Sequence, residues 1–391
     1  MASDLTNRQG IALAAAEAIE RRAAAGLEDL PALVGFDGFI DSMCRVVDRR
    51  RSMADRDFEP IRTIPDLARR IDAAAGRSTN MELFVQGERF GGNGPLLAAA
   101  LGTLGVPVTF IGAVGDEGDP TRLHPVYAPL ERCCRRVVPL APPGRTEALE
   151  FDDGKIMFNK ALPIQRVTWE RLIEVVGLDA LVDLCERARL IATTNWSLMG
   201  PLEGIWEGLI AEVFPRLRSS GGGQQRLFVD LSDPAKRTDA DIARMLSILA
   251  RMNAAIPVTL GLNLAEAGRI AGVLEIGQIP ERGVALGEAA GAIRAAARLG
   301  CVVIHRRDGA AGADAGSSAW LDGPFVWHPR LSTGAGDHFN AGLAVGEMLE
   351  LPMVQSLAVG CALSGAYVRD GAAPTLDRVL GLLRSFPEPE A

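Results

Sequence analysis

Six short apolar runs punctuate the chain, at residues 32–36, 108–111, 190–193, 227–230, 258–262 and 301–305, and most of them end in polar or glycine-rich turns. Runs this short and this rich in Val, Ile and Leu read as strands buried on both faces. Segments with helical spacing of apolar residues separate them, at 96–104, 172–181, 240–252 and 286–299. Repeated strand–helix alternation predicts a mostly parallel sheet covered on both faces. The chain has 391 residues, enough for one large α/β domain with a small appendage, and 1–391 reads as a single domain. In such sheets ligands collect beyond the carboxyl ends of the strands. Candidate polar residues fall there: Asp37 and Asp41 after the first run, Asp230 and Asp233 after the fourth, Asn263 after the fifth.

Two stretches break the alternation. Residues 146–151 and 155–159 flank Asp152-Asp153-Gly154, and an Asp-Gly between alternating strands signals a hairpin. Residues 83–86 and the segment after Phe36 offer further strands. On residues alone this is a hairpin outside the parallel sheet. Ser219-Ser220-Gly221-Gly222-Gly223-Gln224 reads as a flexible surface loop.

The chemistry concentrates in Ser332-Thr333-Gly334-Ala335-Gly336-Asp337, which leads into an apolar helical pattern. Small residues let backbone N–H groups approach a ligand closely. At a helix start those groups and the helix dipole favour an anion, and Asp337 is comfortable there as a carboxylate. An anion cradle beside a carboxylate suits phosphoryl transfer; taken alone, the same residues make a helix N-cap. Asn263 and Glu266 form an i, i+3 pair that shares a helix face, equally a capping pair. Gly91-Gly92-Asn93 precedes an Ala/Leu-rich helix that ends at Leu104-Gly105, and Gly112-Ala113-Val114-Gly115-Asp116 follows the next strand.

These four motifs, in this order and spacing from about residue 33 to 375, resemble the PfkB carbohydrate kinase family, the ribokinase-like sugar kinases. The resemblance implies a three-layer α/β/α fold with a mostly parallel central sheet. It also implies a small β-sheet lid built from segments near 36–50, 80–90 and 145–160. It implies transfer of the γ-phosphoryl group of ATP, with Mg2+, to a hydroxyl of a sugar or sugar-like alcohol. In that scheme Asp337 is the general base, and Gly334, Ala335 and Gly336 offer backbone N–H groups to the transferring phosphoryl. Thr333 and Gly309 lie on the nucleotide side, and Asn263 and Glu266 organise Mg2+ through water. Gly91, Gly92 and Asn93, with an aspartate after the first strand, hold the acceptor. Asp41 fits that aspartate best and Asp37 is the close alternative. The strand ending at His305 and the following residues 306–312 would line the nucleotide, with Arg306 or Arg307 toward a phosphate.

The pattern departs in two places. Leu96 stands where the family often has a second Asn, and Leu331-Ser332 replaces an Asp-Thr that helps hold K+ in many relatives. A leucine offers no oxygen to a hard cation.

Other readings meet specific objections. There is no Gly-x-x-x-x-Gly-Lys-Ser/Thr and no Gly-x-Gly-x-x-Gly after the first strand, which excludes a P-loop kinase and a Rossmann dehydrogenase. A nucleoside kinase of the same family would stack a base on aromatics such as Phe36, Phe39, Phe90 or Trp196. A non-catalytic sugar-binding regulatory paralogue would not need Asp337.

Net charge is −8 without a basic cluster, which argues against a nucleic-acid surface. Six cysteines make no Cys-x-x-Cys pair and four histidines are scattered, which argues against a zinc site. Residues 1–26 read as an Ala-rich helix rather than a signal peptide, and no apolar run is long enough to cross a bilayer. A reducing cytoplasm is the expected location. The expected partners are a small sugar acceptor and ATP, with no membrane, no nucleic acid, and a homodimer through the lid.

Overall fold

The computed structural model describes residues 7–23, 27–218 and 224–390. Residues 219–223 of the expected loop, and residues 1–6 and 24–26 of the N-terminal stretch, lie outside the described residues. Among those described, the strands are β1 Ala32–Phe36, β2 Phe39–Arg50, β3 Phe58–Pro60, β4 Leu83–Gly91, β5 Val108–Gly112, β6 Arg136–Pro139 and β7 Gly144–Phe151. They continue with β8 Gly154–Lys160, β9 Leu190–Thr194, β10 Arg226–Asp230, β11 Val258–Asn263, β12 Cys301–His305, β13 Gly309–Ala313 and β14 Ser318–Asp322.

Nine strands form the main sheet in the order β14-β13-β12-β11-β10-β9-β1-β5-β6. From β12 through β6 every neighbouring pair is parallel, and β13 and β14 add an antiparallel edge. One face is covered by helices Arg8–Ala23, Asn93–Thr103, Ala335–Met348, Met353–Asp370 and Leu376–Arg384. The other carries helices from Trp169–Val176 to Val284–Ala297, with Trp196 and Trp206 fully buried beneath them. Strand order reverses at β1, which lies between β9 and β5. The crevice outside its carboxyl end is the place where a doubly wound sheet binds ligands, and Asp37 is the first residue there.

Two local readings need correction. The helix expected at 172–181 is two helices, Trp169–Val176 and Leu178–Arg187. Gly177 divides them at φ 83°, a conformation that glycine takes without strain. Residues 309–312, expected in a nucleotide-lining loop, belong to buried strand β13. Its Gly-Ala composition hid it, because small residues carry little strand propensity. They are small for packing reasons: a Cβ on Gly312 would fall 2.5 Å from Met353 Sδ on the covering helix.

A second, five-stranded sheet runs β3-β2-β7-β8, with β4 paired on the other edge of β2. β2 leaves β1 after only Asp37-Gly38, so this small sheet hangs directly over the crevice. Gly38 permits the turn, since a Cβ would collide with the Ala113 carbonyl. The small sheet has its own apolar layer of Cys44, Val46, Ile61, Leu67, Leu149 and Phe151. Register sets Arg89, Asp41, Thr146 and Asn159 in one row across β4, β2, β7 and β8. Directly opposed residues share a face. No described helix is long and apolar enough to cross a membrane.

Candidate active site

The segment 332–337 opens helix Ala335–Met348, and Gly334 is its N-cap at φ 90°, ψ 0°. The first N–H groups of a helix have no intrahelical partner, and here they surround Gly334. The Ala335 N–H donates to the Ser332 carbonyl at 3.2 Å, which leaves the flanking glycines as the better placed donors. A side chain at Gly334 would meet Tyr367 Oη at 3.0 Å and Leu96 Cδ1 at 3.3 Å. Leu96 therefore packs against the loop, in the place where an asparagine was the expected type. Tyr367 Oη donates to the Thr333 carbonyl at 2.7 Å, and His338 stacks on the Tyr367 ring with centroids 3.7 Å apart. Burial lowers the His338 imidazole to about 4. The ring is thus neutral, and its Nδ1, 2.7 Å from the Gly334 carbonyl, carries the proton. From the small sheet, Lys155 Nζ donates to Thr333 Oγ1 at 2.7 Å.

Asp337 is buried on the first turn of the helix, and Asn93 Nδ2 donates to its Oδ1 at 3.0 Å. Burial pushes its carboxyl well above the usual carboxylate range, the Asp230 charge adds to this, and the Asn93 bond opposes it. Asp230 is also raised, by burial first and then by the Glu266 charge. Asn340 Nδ2 donates to Asp230 Oδ2 at 2.7 Å, one helical turn beyond Asp337. The i, i+3 spacing of Asp337 and Asn340 was visible in the sequence; that Asp230 lay beneath it was not.

The two aspartates after β1 separate cleanly. Asp37 Oδ1 accepts the Gly94 N–H at 2.7 Å and Thr194 Oγ1 at 2.9 Å, and Oδ2 accepts the Asn93 N–H at 3.0 Å and Asn195 Nδ2 at 2.9 Å. Burial pushes this carboxyl up and the four bonds pull it down. Four donors aimed at two oxygens favour the ionised form, which also suits the positive end of helix Asn93–Thr103. Asp37 thereby fixes the turn from which Asn93 reaches Asp337. Asp41 points the other way, into the row with Arg89 and Thr146. Burial raises it and Arg89 lowers it. Gly91, opposite Phe39 and diagonal to Asp41, leaves room for it, since any Cβ there would strike the Asp41 carboxylate.

Asn263 and Glu266 form a complete capping box: Asn263 Oδ1 accepts the Glu266 N–H at 3.0 Å and Glu266 Oε2 accepts the Asn263 N–H at 2.8 Å. Glu266 Oε1 accepts the Asp233 N–H at 3.0 Å. Among the described residues no group of three or more His, Cys, Asp and Glu side chains could hold a metal ion. The oxygens of Asn263, Glu266 and Asp230 do fit a hydrated Mg2+, which keeps several waters and takes oxygen donors. The mutual charge that raises Asp230 is what such a cation would offset.

A cleft of about 1070 Å³ runs from the Ser332–Gly336 loop along Asn263, His305 and the 306–309 turn to Phe325 and Trp327. Arg306 is tied to Asp308 at 2.8 Å and to the Glu281 carbonyl at 2.6 Å, whereas Arg307 lies over the Phe325 ring. Gly309 lines this cleft at the start of β13. The aromatics that would stack a nucleoside acceptor are packed away: Phe36, Phe39 and Trp196 are buried, and Phe90 lies against Tyr127.

A doubly wound α/β/α body, a small sheet over the crevice of β1 and an Asp at a glycine-capped helix start define a ribokinase-like, PfkB-type sugar kinase. This class is a phosphotransferase with a hydroxyl acceptor. The chain belongs to the prokaryotic ketohexokinase family, whose profile matches residues 11–386. It is 32% identical over 360 residues to a ketohexokinase of Haloferax volcanii, covering 90% of each chain. Among solved structures, ribokinase from Thermotoga maritima superposes with a TM-score of 0.58 at 16% identity, covering 91% of this chain and 99% of that one. A putative ribokinase II from E. coli in complex with ATP and Mg2+ gives 0.58 at 13% identity, covering 92% and 99%. These two share the fold.

Proposed function

We propose that this protein transfers the γ-phosphoryl group of ATP to a hydroxyl of a ketohexose, with Asp337 as the base. The observation that carries the reading is the placement of the Asp337 carboxylate. It lies on the first turn of helix Ala335–Met348, beside Ala335 and Gly336 of the cleft's lining, and Asn93 donates to it from the turn after the small sheet's β4. The triphosphate lies along the cleft with its γ-phosphoryl at Gly334 and Gly336. The ketohexose lies beneath the small sheet, held by Asp41, Asn93 and the Gly91–Gly92 backbone. Asp337 takes the hydroxyl proton as the oxygen bonds to phosphorus and the bond to the ADP oxygen breaks. Asn263 and Glu266 would hold Mg2+ through water, and the cation would offset phosphate charge. The small sheet serves as the lid that excludes water from the acceptor.

The test is an assay of ketohexoses, aldoses and nucleosides with ATP. Turnover of a ketohexose such as fructose, lost in excess chelator, is the expected outcome. Preference for a nucleoside would sink the acceptor assignment, and full activity in chelator would remove the metal.

Asp41→Ala is expected to raise the acceptor KM by about 10–100-fold while ATP affinity holds. A hydrogen bond to a charged group contributes about 1.5–3 kcal/mol, and each 1.4 kcal/mol is about tenfold. Calorimetry with each substrate separately checks this. A larger loss for ATP than for fructose would move Asp41 out of the acceptor site.

A further inference from the structure

Cys133 and Cys134 are neighbours in the chain and half-buried, whereas Cys44, Cys185, Cys301 and Cys361 are buried. Burial raises the thiols of those four and keeps them protonated and inert. The pair closes the short helix Ala128–Cys133. Cys133 Sγ lies 3.4 Å from the Pro129 carbonyl and 3.3 Å from the Leu130 carbonyl. The Cys134 thiol donates to the Cys133 sulfur, and this bond pulls Cys133 below the ordinary thiol value against burial, with Arg132 helping. The same bond, with burial, holds Cys134 protonated. A sulfur that ionises readily beside a protonated partner suits an attacking and a resolving thiol.

The peptide that joins them is engaged at both ends. Its N–H, from Cys134, donates to the Leu130 carbonyl at 3.0 Å. Its oxygen, from Cys133, faces Gly102 so closely that a Cβ there would fall 2.2 Å away. Consecutive Cα atoms are about 3.8 Å apart, below the usual disulfide range of about 4.4–6.8 Å. A bond between these sulfurs therefore requires the peptide to turn, and turning it acts on Gly102. Gly102 belongs to helix Asn93–Thr103. At the other end of that helix Asn93 Nδ2 donates to Asp337, and the Asn93 and Gly94 N–H groups donate to Asp37. A packed helix carries a displacement at one end to the other.

We propose that Cys133 and Cys134 form a peroxide-reactive modification site, which closes to a disulfide between neighbours and slows phosphoryl transfer through helix Asn93–Thr103. The Cys133 thiolate attacks one oxygen of hydrogen peroxide, the O–O bond breaks, and hydroxide leaves and takes up a proton as water. Cys133 is then a sulfenic acid. The Cys134 sulfur attacks it, the S–O bond breaks, and a second water leaves with the Cys134 proton. Two sulfurs are oxidised and one peroxide is reduced. The effect on turnover rests on the kinase reading above, whereas the disulfide is read without substrate.

The experiment treats the full chain with hydrogen peroxide and then with dithiothreitol. Peptide mass mapping is expected to show residues 133 and 134 joined, with the mass of two hydrogen atoms lost and recovered on reduction. Amide hydrogen exchange across residues 93–103 should rise on oxidation and return on reduction. Turnover of fructose should fall about tenfold or more and recover likewise, since a misplacement of about 1 Å can cost about 10²-fold. Cys134→Ser should keep parental turnover before treatment, trap the Cys133 sulfenic acid for capture by dimedone, and show no change in exchange across 93–103. Peroxide treatment that leaves 133 and 134 unjoined overturns the site. A joined pair with unchanged exchange across 93–103, or with an active parent still within about twofold in kcat, overturns its link to the reaction.

Discussion

Asp337→Asn is expected to fold, to bind ATP and fructose, and to turn over about 10²–10⁴-fold more slowly than the parent, the range a positioned base contributes. The substitution keeps the shape and the oxygen that accepts Asn93 Nδ2, so the loss reports the proton acceptor alone. The pH dependence follows from burial. The folded-state carboxyl of Asp337 is raised well above its ordinary value, so the base is protonated over the lower part of the range. The parental kcat/KM therefore rises with pH through that raised value, and this limb is absent in the variant. Stability moves the opposite way. Between the unfolded value of about 4 and the raised folded value, the native state holds a proton that the unfolded chain has released. The contribution of Asp337 to stability is accordingly fully present below the unfolded value and is lost as pH rises through the folded one. Asparagine carries no such charge, so the variant gains on the parent in thermal unfolding as pH rises. A variant that loses ground on the parent in thermal stability as pH rises, or that keeps parental turnover, would show that Asp337 is only a helix cap.

Asp37→Ala is expected to lower stability by about 3–4 kcal/mol, because truncating a buried acceptor leaves its donors unpaired at about 1–3 kcal/mol each, less what water recovers. The donors are the Asn93 and Gly94 N–H groups, Thr194 Oγ1 and Asn195 Nδ2. Asp37→Asn should recover little, since its amide would aim a donor at donors. The denaturant midpoint measures this effect. Activity should fall as well, because Asp37 fixes the turn that presents Asn93 to Asp337. A variant with parental stability and a selective rise in the fructose KM would instead make Asp37 the acceptor ligand.

The contrast between Asp37 and Asp41 shows where sequence reasoning stops. Both follow the first buried run, four residues apart. Pattern alone places both at the carboxyl end of β1 and ranks Asp41 first only by family likeness. Which one is tied by four donors depends on β9 and helix Asn93–Thr103, neither of which is local to them. Strand composition had the same uneven visibility. The six Val/Ile/Leu runs were legible because burial on both faces demands them. β13 was not, because helix Met353–Asp370 lies close enough to require Gly and Ala. The Asp-Gly hairpin of β7 and β8 was legible from turn chemistry, but its long-range partner Thr333 was not.

By itself, the sequence determined the local periodicities, the glycine-opened helix start at Gly334 and the order of the motifs, since each rests on residues close along the chain. The tertiary structure alone decided that Asn93 meets Asp337 across 244 residues, that Lys155 meets Thr333 across 178, and that Asp37 is consumed by two backbone and two side-chain donors. Those meetings depend on how successive crossovers stack strands into one sheet and swing the small sheet over its edge. Periodicity carries no record of that geometry, because it constrains which face of an element is buried and not which distant element buries it.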